Sequence, residues 1–169
     1  MLRVDPLRNP EPLIKRVYAY IAYRIGAGPD AEDLTSETFE RALRYRQSYD
    51  PRKGDPLPWL IGIARRLIEG RPMNLELAAE LPDPSDAGDL EAATIRRLAL
   101  SNAVSRLDDR DRELIALRYG ADLTARQIAE TLDVRTNAVE VALHRALGRL
   151  RTTFEEPDDP PVRKEGTAR

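Results

Sequence analysis

The chain has 169 residues, of which 41% are apolar, 33% charged and only 5% aromatic, a mix that suits small helical bundles better than a large β-core. It contains no cysteine, which excludes disulfides, thiolate nucleophiles and Cys-ligated zinc. No apolar run approaches the ~20 residues of a membrane span, and "MLRVDPLRNP" lacks the apolar centre of a secretory signal, so a cytoplasmic protein without membrane insertion is expected.

In chain order, "EPLIKRVYAYIAYRIG" places Leu13, Val17, Tyr20, Ile21 and Ile25 at helical spacing, and the run ends over Gly26 to Pro29. A second helix is expected from Asp30, as N-cap, through "AEDLTSETFERALRYRQ", with Leu34, Thr38, Ala42 and Leu43 on one side and Phe39 beside them. "SYDPRKGDP" reads as a loop. "PWLIGIARRLIEG" reads as a third helix, with Trp59, Ile63 and Leu67 repeating every four residues. Residues 70–90 carry prolines, glycines and acids, as a flexible linker does. Further helices are expected at 91–106, 109–119, 124–132 and 135–153, followed by a disordered tail at 155–169; nothing reads as a strand. The expected fold is all-α, two small helical domains (10–69 and 91–154) joined by the 70–90 linker.

Charge is segregated along this plan. Residues 70–95 hold Arg71 against six acids, a net of −5, whereas residues 135–151 hold four arginines against Glu140, a net of +3. A locally basic helix in an acidic chain is compatible with DNA binding, because phosphate attraction is screened within about 10 Å.

"LTARQIAETLDVRTNAVEVALHRAL" has the pattern of a helix-turn-helix: Thr124 caps a short helix facing inward through Ile128, Ala129 and Leu132, Asp133 to Arg135 turn, and a longer helix buries Val139, Leu143, Ala146, Leu147 and Leu150. The second helix then presents Thr136, Asn137, Glu140, Val141, His144 and Arg145 outward. The bland alternative is a plain helical hairpin with Arg145, Arg149 and Arg151 as a solvated face.

"LDDRDRELIALRYGADLTARQIAETLDVRTNAVEVALHRALGRLR" resembles region 4 of bacterial extracytoplasmic-function (ECF) sigma factors, and "PDAEDLTSETFERALRYRQSYDPRKGDPLPWLIGIAR" resembles region 2 of the same family, in the family's order. The resemblance implies a promoter-specificity subunit with core RNA polymerase and promoter DNA as partners, an anti-sigma protein as a further partner, and no cofactor, metal or small-molecule substrate. It puts Asp33, Glu37 and Phe39 in the polymerase-binding helix. It puts Tyr49, Arg52 and Lys53 in the loop that holds a flipped base, with Trp59, Arg65 and Arg66 also toward the minus-10 element. Arg118, Arg126, Arg135, Thr136, Asn137, Glu140, Val141, His144, Arg145 and Arg149 fall where the family meets the minus-35 duplex.

Two departures stand out. The family usually has Lys or Arg at the position of Glu140, a small polar residue at Val141 and Arg at Ala142, so sequence preference is expected to differ. After "IARRLI" the family continues with several basic residues, whereas "EGRPMNLELAAEL" leaves Arg65, Arg66 and Arg71, which implies inefficient melting and reliance on strong promoters or an activator.

Other chemistry finds little footing. Asp30, Asp33, Glu37 and Glu40 share one helical stripe but have no histidine nearby, and a solvated acidic face favoured by the helix dipole competes with polymerase contact. His144, the sole histidine, has neither orienting acid nor nucleophile, and Trp59 suits a core position as well as a stacking platform. No catalytic residue is expected. The rival readings are a stand-alone helix-turn-helix regulator and a degenerate, non-transcribing sigma relative that acts through protein contacts.

Overall fold

The computed structural model describes residues 5–71 and 90–156. They form seven α-helices: α1 Pro10–Ile25, α2 Pro29–Arg44, α3 Leu57–Glu69, α4 Leu90–Ser105, α5 Asp109–Ile115, α6 Ala125–Leu132 and α7 Thr136–Glu155. There is no strand among the described residues. The 70–90 linker and the 155–169 tail fall almost wholly outside them.

Helices α1 to α3 pack as the apolar spacing demands. Leu13, Val17, Tyr20 and Ile21 of α1 are buried against Ala31, Leu34 and Ala42 of α2 and Leu57, Leu60, Ile61, Ala64, Leu67 and Ile68 of α3. Each large apolar side chain removed from water contributes about 1.5–3 kcal/mol. Thr35 and Thr38 are also buried, and their hydroxyls donate to the carbonyls of Ala31 and Leu34, both at 2.7 Å, so neither is left unsatisfied.

Three local expectations are corrected. Helix α2 begins at Pro29 and not after an Asp30 cap: Gly28 supplies a backbone φ of 137° that ends the preceding turn, and proline suits the first helical position. Leu43 is 57% exposed, because Leu34, Thr38 and Ala42 already fill the inward stripe. In α3 the core stripe is Leu57, Leu60, Ile61, Ala64, Leu67 and Ile68, which leaves Trp59 and Ile63 half-buried at its edge.

In the second half, Asp108 caps α5 by accepting the Asp111 N–H at 2.8 Å. Thr124 and Gln127 form a reciprocal capping box at α6. Asp133 takes the left-handed conformation (φ 54°) that closes α6 and turns the chain into α7. Helix α5 does not continue to residue 119 in regular form. The chain widens into a π-turn over Ala116–Gly120, which carries it against α1.

One cluster of buried side chains runs through both halves, from Val17, Tyr20 and Ile21 to Ile115, Leu117, Leu123, Ile128 and Val139. Gly120 makes this approach possible: a Cβ there would lie 2.9 Å from the Cα of Tyr20 and 3.0 Å from the carbonyl oxygen of Ala19. Both neighbours are backbone and cannot swing aside. Arg16 fastens the same contact, its guanidinium donating to the carbonyls of Ala121 (2.9 Å) and Asp122 (2.8 Å). Gly120→Ala is therefore expected to lower the stability of the packed chain by about 1–3 kcal/mol. Gly148→Ala, at a helical site with open space around the new methyl, is expected to raise it by about 0.5–1 kcal/mol. Denaturant unfolding of both variants checks the pair.

Candidate nucleic-acid interface

Helix α7 positions the candidate residues by its register. Val139, Leu143 and Ala146 are buried, and Leu147 and Leu150 are half-buried against the core. That leaves Thr136, Asn137, Glu140, Val141, His144 and Arg145 exposed together on the opposite side. The structure thus brings six of the ten candidate residues onto one face, with Arg135 exposed immediately before it.

The other cations are engaged. Arg149 grips Asp111 with two hydrogen bonds, one of them from Nη2 at 2.7 Å, and the Asp111 side chain is only 3% exposed. Arg118 donates to the carbonyl of Leu123 at 3.0 Å, and Arg126 pairs with Glu130 one turn along α6 at 3.3 Å. Arg135 and Arg145 have no ion pair among the described residues.

The stretch between α2 and α3 holds two short 3-10 turns, Arg46–Ser48 and Pro51–Lys53. Tyr49 and Trp59 meet here, ring centroids 5.5 Å apart and planes inclined by 54°. The Tyr49 hydroxyl donates to the carbonyl of Gly54, which fixes the loop's span. Asp50 accepts the backbone N–H of Arg52 and its side chain, contacts that hold the carboxyl below its ordinary range. Arg52 and Lys53 project into solvent, and Trp59 is half-buried.

The acidic stripe of α2 is partly neutralised. Glu37 accepts from Arg41 (2.8 Å) and Arg71 (3.1 Å), while Asp33 and Glu40 are exposed beside it along a shallow recess of about 410 Å³. Phe39 is half-buried against the core. Among the described residues there is no cluster of acids or histidines able to hold a metal ion.

The residue that sequence reasoning missed is Glu113. It is buried at the junction of the two halves, where it accepts the Tyr20 hydroxyl at 3.0 Å and pairs with Arg24 at 2.5 Å and Arg65 at 3.4 Å. Arg65 also pairs with Glu69 at 3.3 Å, so its guanidinium is turned to the junction. A signal was available: Arg24 sits seven residues beyond Val17 on the buried stripe of α1, and a cation on an apolar stripe calls for a buried anion. Beside Glu113 lies a cleft of about 330 Å³, walled by Arg24, Arg65 and Glu69 on one side and by Leu132, Ala138 and Ala142 of the helix-turn-helix on the other.

Two family models match, Sigma-70 region 2 over residues 11–69 and Sigma-70 region 4 over residues 97–150. The ECF RNA polymerase sigma factor BldN of Streptomyces coelicolor is 32% identical over 152 residues, which cover 85% of this chain. The chain belongs to the ECF type of sigma-70 family sigma factors. It spans 57% of the length of BldN. The ECF sigma factor SigL of Mycobacterium tuberculosis is 26% identical over 148 residues, 83% of each chain. The fold is similar to that of the sigma factor RpoE of Bartonella quintana, solved with the anti-sigma factor NepR (TM-score 0.65, 17% identity, 84% of this chain and 91% of that one). The family is in general non-enzymatic. Among the described residues no helix is long and apolar enough to cross a membrane.

Burial raises the Glu113 pKa, outweighing the opposing effects of Arg24, the Tyr20 hydrogen bond and Arg65. A carboxyl whose folded pKa is raised binds its proton more tightly in the folded chain. Its contribution is therefore fully present below the ordinary glutamic-acid value and lost as pH climbs through the raised one. The stability of the native chain minus that of Glu113→Gln is expected to fall as pH rises through this window, as read by denaturant titrations at successive pH values. The variant itself is expected to be less stable by about 3–5 kcal/mol, since Arg24 stays buried without its anion.

Proposed function

We propose that the chain is a promoter-specificity subunit that directs core RNA polymerase to particular promoters, acts in the cytoplasm and has no catalytic activity of its own. The observation that carries this reading is the exposed face of α7 from Thr136 to Arg145, on a helix whose opposite side is locked into the core. The similar proteins BldN and SigL are ECF RNA polymerase sigma factors, which points the same way. Asp33, Glu37 and Phe39 meet polymerase in this reading. Tyr49, Arg52, Lys53, Trp59 and Arg66 belong to the minus-10 surface in this reading, with the buried Tyr49 ring backing the half-buried Trp59, whose ring is the one left to meet a displaced base. Since RpoE is described in complex with an anti-sigma factor, a regulatory protein of that kind is a further proposed partner.

Engaged cations limit this activity. Arg65 is taken by Glu69 and Glu113 and Arg71 by Glu37, which leaves Arg66, in the last turn of α3, as the cation of this stretch with no ion pair among the described residues. Weak minus-10 engagement follows, and with it the reliance on strong promoters or an activator. Size limits it too. A compact chain of 169 residues has a radius of gyration of about 15 Å. Elements at minus 10 and minus 35 lie roughly 25 base pairs apart, about 85 Å at 3.4 Å per pair. The two halves must separate at the Glu113 junction before both elements can be read together.

Titration of the fluorescently labelled chain with bacterial core polymerase, followed by transcription from a promoter library, tests the reading. Saturable binding with new promoter-specific transcripts is expected. Binding without transcripts would instead indicate a non-transcribing relative, and no binding a stand-alone regulator. In the same assay Arg145→Ala is expected to reduce transcription by a cost of about 1–3 kcal/mol at normal stability. Arg149→Ala is expected to lower stability, because it leaves the buried Asp111 carboxylate without its partner.

A further inference from the structure

The reading face carries an acid where attraction to DNA calls for a base. Glu140 is exposed and makes no ion pair among the described residues, and neither does His144 one turn along the helix. Helix-dipole stabilisation does not explain it: α7 starts at Thr136, has no acid in its first turn, and the dipole's effect fades beyond that turn. Core packing does not explain it either, because the buried stripe of α7 is Val139, Leu143 and Ala146. Arg149 is held by Asp111, Arg126 by Glu130 and Arg118 by the Leu123 carbonyl, and Arg135 and Arg145, though exposed, form no ion pair with Glu140. Glu140 therefore enters any DNA groove as a carboxylate with no cation paired to it.

Such a group tolerates few surfaces. In the major groove guanine presents N7 and O6 and thymine presents O4, all acceptors that repel a carboxylate, while adenine sets its N6 amine beside the acceptor N7. Only cytosine presents an amine, N4, and no acceptor of its own in the major groove, so a carboxylate can approach it from the side away from the paired guanine. Beside Glu140, Val141 is 44% exposed and offers an apolar surface suited to a thymine methyl. Resting on the DNA-reading assignment of α7 above, we infer that Glu140 is a base-discriminating residue: it selects cytosine at one position of the recognised duplex and acts mainly by excluding the other bases. Val141 contacts the neighbouring base pair. The face gains specificity at the expense of phosphate attraction.

The inference makes an unusual prediction, that loss of the residue strengthens binding to the wrong sequences. The test is selection of binding sites from random duplexes by the full chain, alone and with core polymerase, for the native protein, Glu140→Gln, Glu140→Ala and Val141→Ala. Transcription of the selected sites is measured in parallel. Glu140 has no ion pair among the described residues, and both it and Val141 are exposed, so these variants keep the fold. The native chain is expected to prefer cytosine at one position by about 5- to 150-fold. Glu140→Gln is expected to move that preference to adenine, whose N6 and N7 match a carboxamide. Glu140→Ala should flatten the position and tighten binding to unselected duplexes, and Val141→Ala should change only an adjacent position. Identical base profiles for the native chain and Glu140→Gln, or no sequence enriched by either, would overturn the inference. A cytosine-to-adenine switch without polymerase-dependent transcripts would uphold it while overturning the promoter-specificity reading.

Discussion

Glu113 can be buried only because Tyr20, Arg24 and Arg65, all from the other half of the chain, converge on it. Burial opposes its charge, as the raised pKa records, so the anion depends on those three partners and they in turn depend on it. Gly120 and Arg16 add a close backbone approach and two hydrogen bonds to the same face. The junction is thus a polar network set in a continuous apolar core, and it fixes how the two halves sit together. A network of this kind is stable when complete and fails as a unit when one member goes, which is the behaviour of a joint with two states.

This joint ties stability to the proposed activity. Closed, the chain buries the apolar surface between α1 and the π-turn but is too short to reach both promoter elements. Open, it must leave the Glu113 network, and whatever supplies that energy controls the protein. Polymerase is well placed to do so in the proposed function, because each half would gain its own contacts and the second contact would benefit from effective concentration. The modest positive charge left free at Arg135, just before α7, and Arg145 within it fits a proposed reader that relies on its partner for affinity and on Glu140 for discrimination.

Much of the architecture was legible in the residues. The apolar spacing of α1, the capping residues Thr124 and Gln127 and the turn at Asp133 are local signals, and the helices lie within a few residues of where those signals put them. The outward face of α7 follows from the same spacing. What the sequence did not disclose is long-range. Glu113 lies 93 residues from Tyr20, and no local pattern announces that a phenol on one helix will meet a carboxylate on another. The charge of Arg149 is visible in the sequence, whereas its partner Asp111 sits 38 residues away. The π-turn escaped for a related reason: nothing in "ALRYG" announces that Gly120 will lie against the backbone of α1. Leu43 misled through composition, since an apolar residue one step off the inward stripe stays exposed when smaller neighbours already fill the space.

The most direct test of the two-state joint is a distance measured across it. The chain has no cysteine, so Lys15→Cys and Arg151→Cys, both at exposed positions outside the proposed contact residues, allow unambiguous labelling with a donor and an acceptor dye. Energy transfer in single molecules would then be recorded for the free chain, for the chain carrying Glu113→Ala, and for each with core polymerase and promoter DNA. The account predicts one high-transfer population in the free chain, a shift toward low transfer when Glu113 is removed, and a fully low-transfer state in a complex that initiates transcription. A complex that initiates transcription while retaining the transfer efficiency of the free chain would contradict it.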